Sequence, residues 1–183
     1  MTIPVIETER LRLRGFRPGD FAGFAAMWAD PQVVRFIGGK PRTEDESWTA
    51  LLRYAGYWPL FGHGFWAMTP RDEPDHWLGC IGFMRARRGF ADLDGRPECG
   101  WVLARSAQGR GLAYEAAAAV HRWYDGQGFG PSFVMIETGH GASVRVAERC
   151  GYRLLREDIY DRAAMHILQR PAPWRADASA LSV

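Results

Sequence analysis

The sequence predicts a single α/β domain built on a mixed sheet covered by helices, and three observations carry this. The chain has 183 residues, within the roughly 100 to 200 typical of one domain, so a second catalytic domain is not expected. Its 47% hydrophobic and 24% charged residues suit a folded soluble core, because disordered chains lack the apolar side chains that offset ordering entropy. The apolar period also changes along the chain: strand patterns come first as a meander and later alternate with helical stripes, which is the signature of a mixed sheet flanked by helices. The domain is expected to occupy residues 1–170, with 171–183, rich in Pro, Ala and Ser, as a flexible C-terminal tail.

The elements follow in order. Leu11 and Leu13 alternate with Arg10, Arg12 and Arg14, a half-buried strand. Phe21, Phe24, Ala25 and Trp28 then recur at helical spacing up to Asp30-Pro31. Thr43 with Glu46 forms a capping box ahead of a second stripe, Trp48, Leu51, Leu52 and Ala55, which Gly62-His63-Gly64 ends. Phe65 to Met68 and Trp77 to Phe83 read as strands joined by the polar turn 71–75, and Pro97 to Leu103 as a further strand. Leu112, Ala116, Val120 and Trp123 form a stripe on an Ala-rich helix, and Phe133 to Glu137 is a short apolar strand. Ser143 to Cys150 is a short helix stopped by Gly151, and Tyr152 to Leu155 with Met165 to Leu168 close the sheet.

Charge and cysteine content exclude several classes. Lys+Arg 23 against Asp+Glu 21 leaves too small an excess to imply a nucleic-acid partner. Lys40 is the sole lysine, a bias toward arginine that codon composition alone can produce. Cys80, Cys99 and Cys150 lie far apart and form neither a disulfide framework nor a C-x-x-C pair. His63, His76, His121 and His166 lack metal-ligand spacing and are expected to be surface or packed residues, so no metal is expected. No secretory h-region opens the chain and no run of about 18 apolar residues could span a bilayer. A cytoplasmic protein without membrane partner is therefore expected.

The informative stretch runs from Pro97 to Ala113: a strand, a turn holding Gly109 and Gly111, and a helix start. Such a turn converges backbone N–H groups on a helix N-terminus and suits a pyrophosphate; an ordinary strand-to-helix connection has the same spacing, and spacing alone does not separate the two. A dinucleotide fingerprint fails because Gly109 and Gly111 are followed by Tyr114, and a P-loop fails because no Gly-Lys-Ser/Thr follows.

Three ordered motifs carry a resemblance. Gln108-x-x-Gly111-x-Ala113 matches the Q/R-x-x-G-x-G/A acetyl-CoA motif of the GNAT acetyltransferases. Glu98-Cys99-Gly100-Trp101-Val102-Leu103 is similar to the preceding strand of the RimJ/RimL-like branch, and Ala142-Ser143-Val144-Arg145-Val146-Ala147-Glu148 resembles that branch's A-S-x-R-V-A-E helix. The resemblance covers almost the whole chain. It implies the GNAT acyl-CoA N-acyltransferase fold, a splayed and mostly antiparallel sheet, with acetyl-CoA as cosubstrate and no metal. Acetyl-CoA would enter between the strand ending at Leu103 and the strand after it, its pyrophosphate on the amides of Gln108, Gly109, Arg110, Gly111, Leu112 and Ala113. Its pantetheine arm would reach back toward Val102 and Leu103 along an extended stretch of about 16 to 20 Å at ~3.3 Å per residue.

The implied chemistry is direct acetyl transfer to a primary amine, on a peptide N-terminus or a small molecule. A protonated amine cannot attack, so a base must take its proton, and Glu98 is the candidate, its alternative being a strand-end carboxylate. Ser143 is the candidate donor to the departing thiolate, its alternative being a helix cap. The family's usual Asn three residues before that Ser, a cap that touches the cofactor arm, is His140 here. Most of the aromatic residues Trp28, Phe36, Trp48, Tyr54, Tyr57, Trp58 and Phe61 are expected in the core, with a few at the mouth of the acceptor site able to stack on a planar or apolar substrate, and Glu44, Asp45 and Glu46 could attract a polycation or merely complement a helix start. A homodimer is the assembly considered, and a non-catalytic acyl-CoA sensor is the competing reading of the same fold.

Overall fold

The computed structural model describes residues 2–171, so the tail beyond Pro171 lies outside the described residues. One eight-stranded sheet organises the chain: β1 (Ile6–Glu7), β2 (Leu11–Arg14), β3 (Phe65–Pro70), β4 (Gly79–Met84), β5 (Glu98–Leu103), β6 (Ser132–Glu137), β7 (Arg153–Tyr160) and β8 (Ala163–Arg170). Their spatial order is β1-β2-β3-β4-β5-β6-β8-β7. Every neighbouring pair is antiparallel except β5 and β6. The expected sheet is there, with one addition: Ile6–Glu7 pairs with Leu13 and Arg12 as a two-residue edge, too short to show a period.

Helices α1 (Phe21–Ala29), α2 (Pro31–Val34) and α3 (Glu44–Phe61) follow β2. Thr43 and Glu46 exchange both capping-box hydrogen bonds at the start of α3, and Gly62 ends it in a left-handed conformation (φ 72°). The four-residue α2, capped by Asp30 accepting from the Gln32 amide, is too short for a periodic signal. Met27, Trp28, Leu51 and Tyr54 pack on one face of the sheet against Phe65, Cys80 and Val102.

The other face belongs to α4 (Leu112–Gly126). Its alanines let the helix approach closely, and Leu112, Ala116, Ala117, Val120 and Tyr124 pack with Trp66, Ile81, Phe83 and Leu103. Each large apolar side chain so buried stabilises the fold by roughly 1.5 to 3 kcal/mol. Successive residues Val102 and Leu103 thus join opposite cores, as strand alternation requires. Gly82 has no substitute: a Cβ there would stand 2.1 Å from the Gly64 carbonyl oxygen.

α5 (Gly141–Arg149) ends in the predicted glycine stop. Gly151 is left-handed (φ 89°), and the amides of Tyr152 and Gly151 donate to the carbonyls of Ala147 and Glu148, a Schellman arrangement. Buried Arg170, the last residue of β8, ties the strand to α4 and to the end of α5 by donating to both oxygens of Asp125 and to the Cys150 carbonyl. No helix among the described residues is long and apolar enough to cross a membrane.

Of the five histidines, His63 and His121 are core residues. His63 sits among Phe61, Phe83, Tyr124 and Phe129, and His121 hydrogen-bonds the Ala117 carbonyl and the Tyr152 hydroxyl. Burial pushes both imidazoles down to about 4 from an ordinary 6.5. Between those two values the unfolded chain binds more protons than the folded one, so their contribution is intact above pH 6.5 and is lost as pH falls toward 4. Unfolding free energy measured in urea should fall in that window by up to about 1.4 kcal/mol per pH unit for each histidine. His63→Phe, whose ring suits the aromatic surroundings, should flatten the slope; an unaltered slope would show that His63 is not a source of it.

Candidate active site

The site begins where the sheet parts. Parallel strands β5 and β6 share one paired position, Glu98 with Phe133, whereas the other edge of β5 is zipped to β4 along its whole length, from Gly79↔Leu103 to Met84↔Glu98. Beyond Glu98 the strands separate and a cavity of about 510 Å³ opens between them. Gly100, Trp101, Val102, Ile136, His140 and Ser143 line its sheet side, and Trp28, Phe36, Tyr54 and Tyr57 its helical side.

At the far end of β5 the chain makes a 3-10 turn, Arg105–Ala107, before α4. This corrects the extended spacing expected between Val102 and Gln108, because a 3-10 turn rises only about 2.0 Å per residue. Gln108 folds back so that its side-chain amide donates to the Leu103 carbonyl (2.9 Å). Gly109 (φ 72°) and Gly111 (φ 77°) are both left-handed, and Gly111 is the N-cap of α4. Arg10 braces the turn by donating to the Arg110 carbonyl (3.0 Å) and to Glu115, and Thr8 donates to the same carboxylate. Leu112 is buried and anchors the helix start, while Arg110 and Gly111 are exposed. Nothing stands within 4 Å of a Cβ built at Gly109, so the outer side of the turn is open. The described geometry fits the pyrophosphate of a coenzyme A: an exposed turn with two left-handed glycines leading into a helix N-terminus.

Ser143 and His140 both line the cavity. His140 is the N-cap of α5, as the motif implies, but its side chain makes no capping hydrogen bond; the ring stacks on Phe36 (4.7 Å, 19°), and burial lowers its pKa. Ser143 is the third residue of α5 rather than its cap, which removes the capping alternative. Its Oγ accepts a long hydrogen bond from Trp101 Nε1 (3.4 Å) across the parted strands.

Glu98 is 3% exposed and is not a free strand-end carboxylate. Arg88 grips it with two hydrogen bonds of 2.8 Å, Nε to Oε2 and Nη2 to Oε1. Burial raises the Glu98 pKa while the hydrogen bonds and charge of Arg88 pull against the rise. Burial opposes the charge of Arg88 too, yet Glu98 and Tyr160 hold it protonated. Glu44, Asp45 and Glu46 form the first turn of α3 and lie outside the cavity lining, so the macrodipole explanation stands for them.

Arg88 and the cavity-lining Arg42 carry no sequence signal of their own, and Trp101, though within the strand motif, gave no sign of its contact with Ser143. Arg88 could have been anticipated only by folding the β4–β5 connection into a hairpin, which brings residues ten apart face to face.

A family model described as an acetyltransferase (GNAT) domain matches residues 10–153. A putative GNAT-family acetyltransferase from Bordetella pertussis superposes with a TM-score of 0.81 and 32% identity, over 92% of this chain and 99% of that one. The Bacillus subtilis (strain 168) protein YkkB is 29% identical over 149 residues, 79% of this chain and 82% of its own. A ribosomal L7/L12 alpha-N-protein acetyltransferase, RimL, shares the fold with a TM-score of 0.74 and 14% identity over 93% of this chain and 96% of that one.

The left-handed turn yields a direct test. A branched side chain at Gly111 strains the backbone by about 1 to 3 kcal/mol and re-aims the amides beside it. Acetyl-CoA at 100 times its dissociation constant should stabilise the wild type by about 2.7 kcal/mol, read as a shift of the thermal melt. Gly111→Val should lose that shift while remaining folded by circular dichroism; an undiminished shift would place the phosphate site elsewhere.

Proposed function

The chain belongs to the GNAT acetyltransferase family, and from that premise we propose how its residues divide the work of moving an acetyl group from acetyl-CoA to a primary amine. Acetyl-CoA-dependent transfer to an amine is the activity of the family; the residue roles below are our reading, and the parting of β5 from β6 beyond Glu98 is the observation that carries it. An extended pantetheine arm can occupy such a gap because the strand edge it meets is left without a neighbouring strand.

The amides from Gln108 to Ala113 take the pyrophosphate, and Val102, Leu103 and His140 border the arm. The amine nitrogen attacks the thioester carbonyl carbon; a C–N bond forms, the C–S bond breaks, and the amine proton leaves. Glu98 receives that proton, directly or through one water. Arg88 is a positioning residue: it occupies one side of each carboxylate oxygen and leaves the remaining lone pairs for the acceptor side. Ser143 accepts from Trp101, so its own hydroxyl proton is available to the departing sulfur, which leaves as a thiolate. The RimL-like motifs favour an α-amine as acceptor, on a peptide or on a small molecule.

Release of free thiol from acetyl-CoA across a panel of peptides, polyamines and amino acids tests the transfer itself. Glu98→Gln should lower kcat about 100-fold or more at pH 7, with little change in the KM for acetyl-CoA. The rate should climb again with pH as the amine loses its proton unaided, at about 7.7 to 8.0 for an α-amine and nearer 10.4 for a lysine-like amine. Ser143→Ala should reduce kcat more than acetyl-CoA affinity, because the thiolate exists only as the bond breaks. Wild-type rates in both variants at every pH would overturn the two assignments and leave the cofactor site standing.

A further inference from the structure

Resting on the transfer reading above, we propose that the acceptor is a small amine that also carries a carboxylate, an amino-acid-like substrate whose anion is taken by Arg42 and whose apolar part lies on the aromatic wall. The cavity is lined by five arginines, Arg42, Arg53, Arg85, Arg87 and Arg88. Arg88 is neutralised by Glu98. Among the described residues the other four have no carboxylate within 4.0 Å. Glu137 and Asp161 are the remaining acids of the lining, so the unfilled cavity has a surplus of positive charge.

Arg42 is the best placed of the four. Its guanidinium lies 3.5 Å above the Trp28 ring, which fixes its plane, and its Nη1 is enclosed without a hydrogen-bond partner. Arg85 shows the same feature at Nε, while its Nη1 is committed to the Gly95 carbonyl. An enclosed N–H with no acceptor is destabilising until something supplies one, and a planar guanidinium held flat is the group that receives a carboxylate through two parallel hydrogen bonds. The phosphates of coenzyme A do not need these arginines, since the turn from Gln108 to Ala113 is outside the cavity lining.

The apolar requirement comes from the same wall. Phe36 and Tyr57 are half-buried, with faces or edges available to a substrate, and Tyr54 is locked behind them by stacking on Phe65 (4.1 Å, 10°). Burial drives the Tyr54 hydroxyl up to about 12, with the charges of Arg42 and Arg53 and a hydrogen bond from Arg42 opposing the rise, so the hydroxyl stays neutral beside the guanidinium. A polyamine entering this cavity would meet like charge on its helical side, which disfavours it. The whole cavity, about 510 Å³, must also admit the thioester end of acetyl-CoA, which leaves space for a small molecule.

The test pairs each acceptor with its uncharged twin: L-phenylalanine, L-tryptophan and L-methionine against their amides, with spermidine alongside, in the thiol-release assay. We expect kcat/KM at least ~10-fold higher for the carboxylates than for the amides, the discrimination of one charge-assisted hydrogen-bonded pair. In Arg42→Met that ratio should fall toward one. Calorimetric binding of N-acetyl-L-phenylalanine against N-acetyl-L-phenylalaninamide, with coenzyme A present, reads the same anion site without turnover and should show the same preference. Equal use of carboxylate and amide, or preference for spermidine or for a peptide amide, overturns the inference and leaves the transferase reading intact. Binding of the acetylated carboxylate with no turnover of any amine does the reverse: it keeps the anion site and sinks the transfer. Absence of preference in both assays rejects the site outright.

Discussion

The structure depends on one incomplete pairing. Among the described residues β5 and β6 are the one parallel pair of neighbouring strands, and they share a single paired position, Glu98 with Phe133. Because they run in the same direction, both finish at the same end of the sheet, and each is followed by a helix: α4 after β5 and α5 after β6. Two helix N-termini, with their unsatisfied amides and partial positive charge, therefore stand at the end where the strands part. The turn from Gln108 to Ala113 and the Ser143 hydroxyl owe their placement to that geometry. A full ladder between the two strands would close the gap in which a thioester can reach the acceptor side.

Keeping such a gap open requires rigidity on both flanks. Leu103 and the Ala-rich α4 belong to one core and Val102 to the other, so β5 is fixed from above and below while one edge stays free. The ion pairs do similar work at the margins. Arg10 and Thr8 tie the start of the chain to Glu115 on the first turn of α4, and Arg14 with Asp20, both buried, clamps the entry to α1. Removing one partner of a buried pair leaves an uncompensated charge, which is why Arg14 is part of the frame and the cavity arginines that meet no carboxylate are not.

What was legible in the sequence was local. The Thr43–Glu46 box, the stop at Gly62, the Gly151 terminus and the turn from Gln108 to Ala113 each depend on a few consecutive residues, and each is found where the sequence placed it. What failed or stayed hidden depends on residues far apart. The His140 ring turns to Phe36, 104 positions away in the chain, instead of capping its own helix, and Ser143 meets Trp101. The β1 edge and the four-residue α2 were too short to carry a period. Arginine content looked uninformative as composition and becomes informative only by position, because a count cannot say which guanidinium has met a carboxylate.

The Glu98–Arg88 pair shows how two opposed demands are met at one residue. In the role proposed for it, Glu98 has to be ionised before it can take a proton, but burial alone favours the neutral acid. Arg88 restores the carboxylate by hydrogen bonds and charge, and does so from the loop that joins β4 to β5, away from β6. The same contact makes the carboxylate a weaker base than burial alone would, since each proton it accepts loses attraction to the guanidinium. A base of that kind suits an amine that is already partly deprotonated near neutral pH, as an α-amine is and a lysine-like amine is not. With Glu98 as the proposed base, its electrostatics and the cationic wall of the cavity point separately to the amino-acid-like acceptor proposed above.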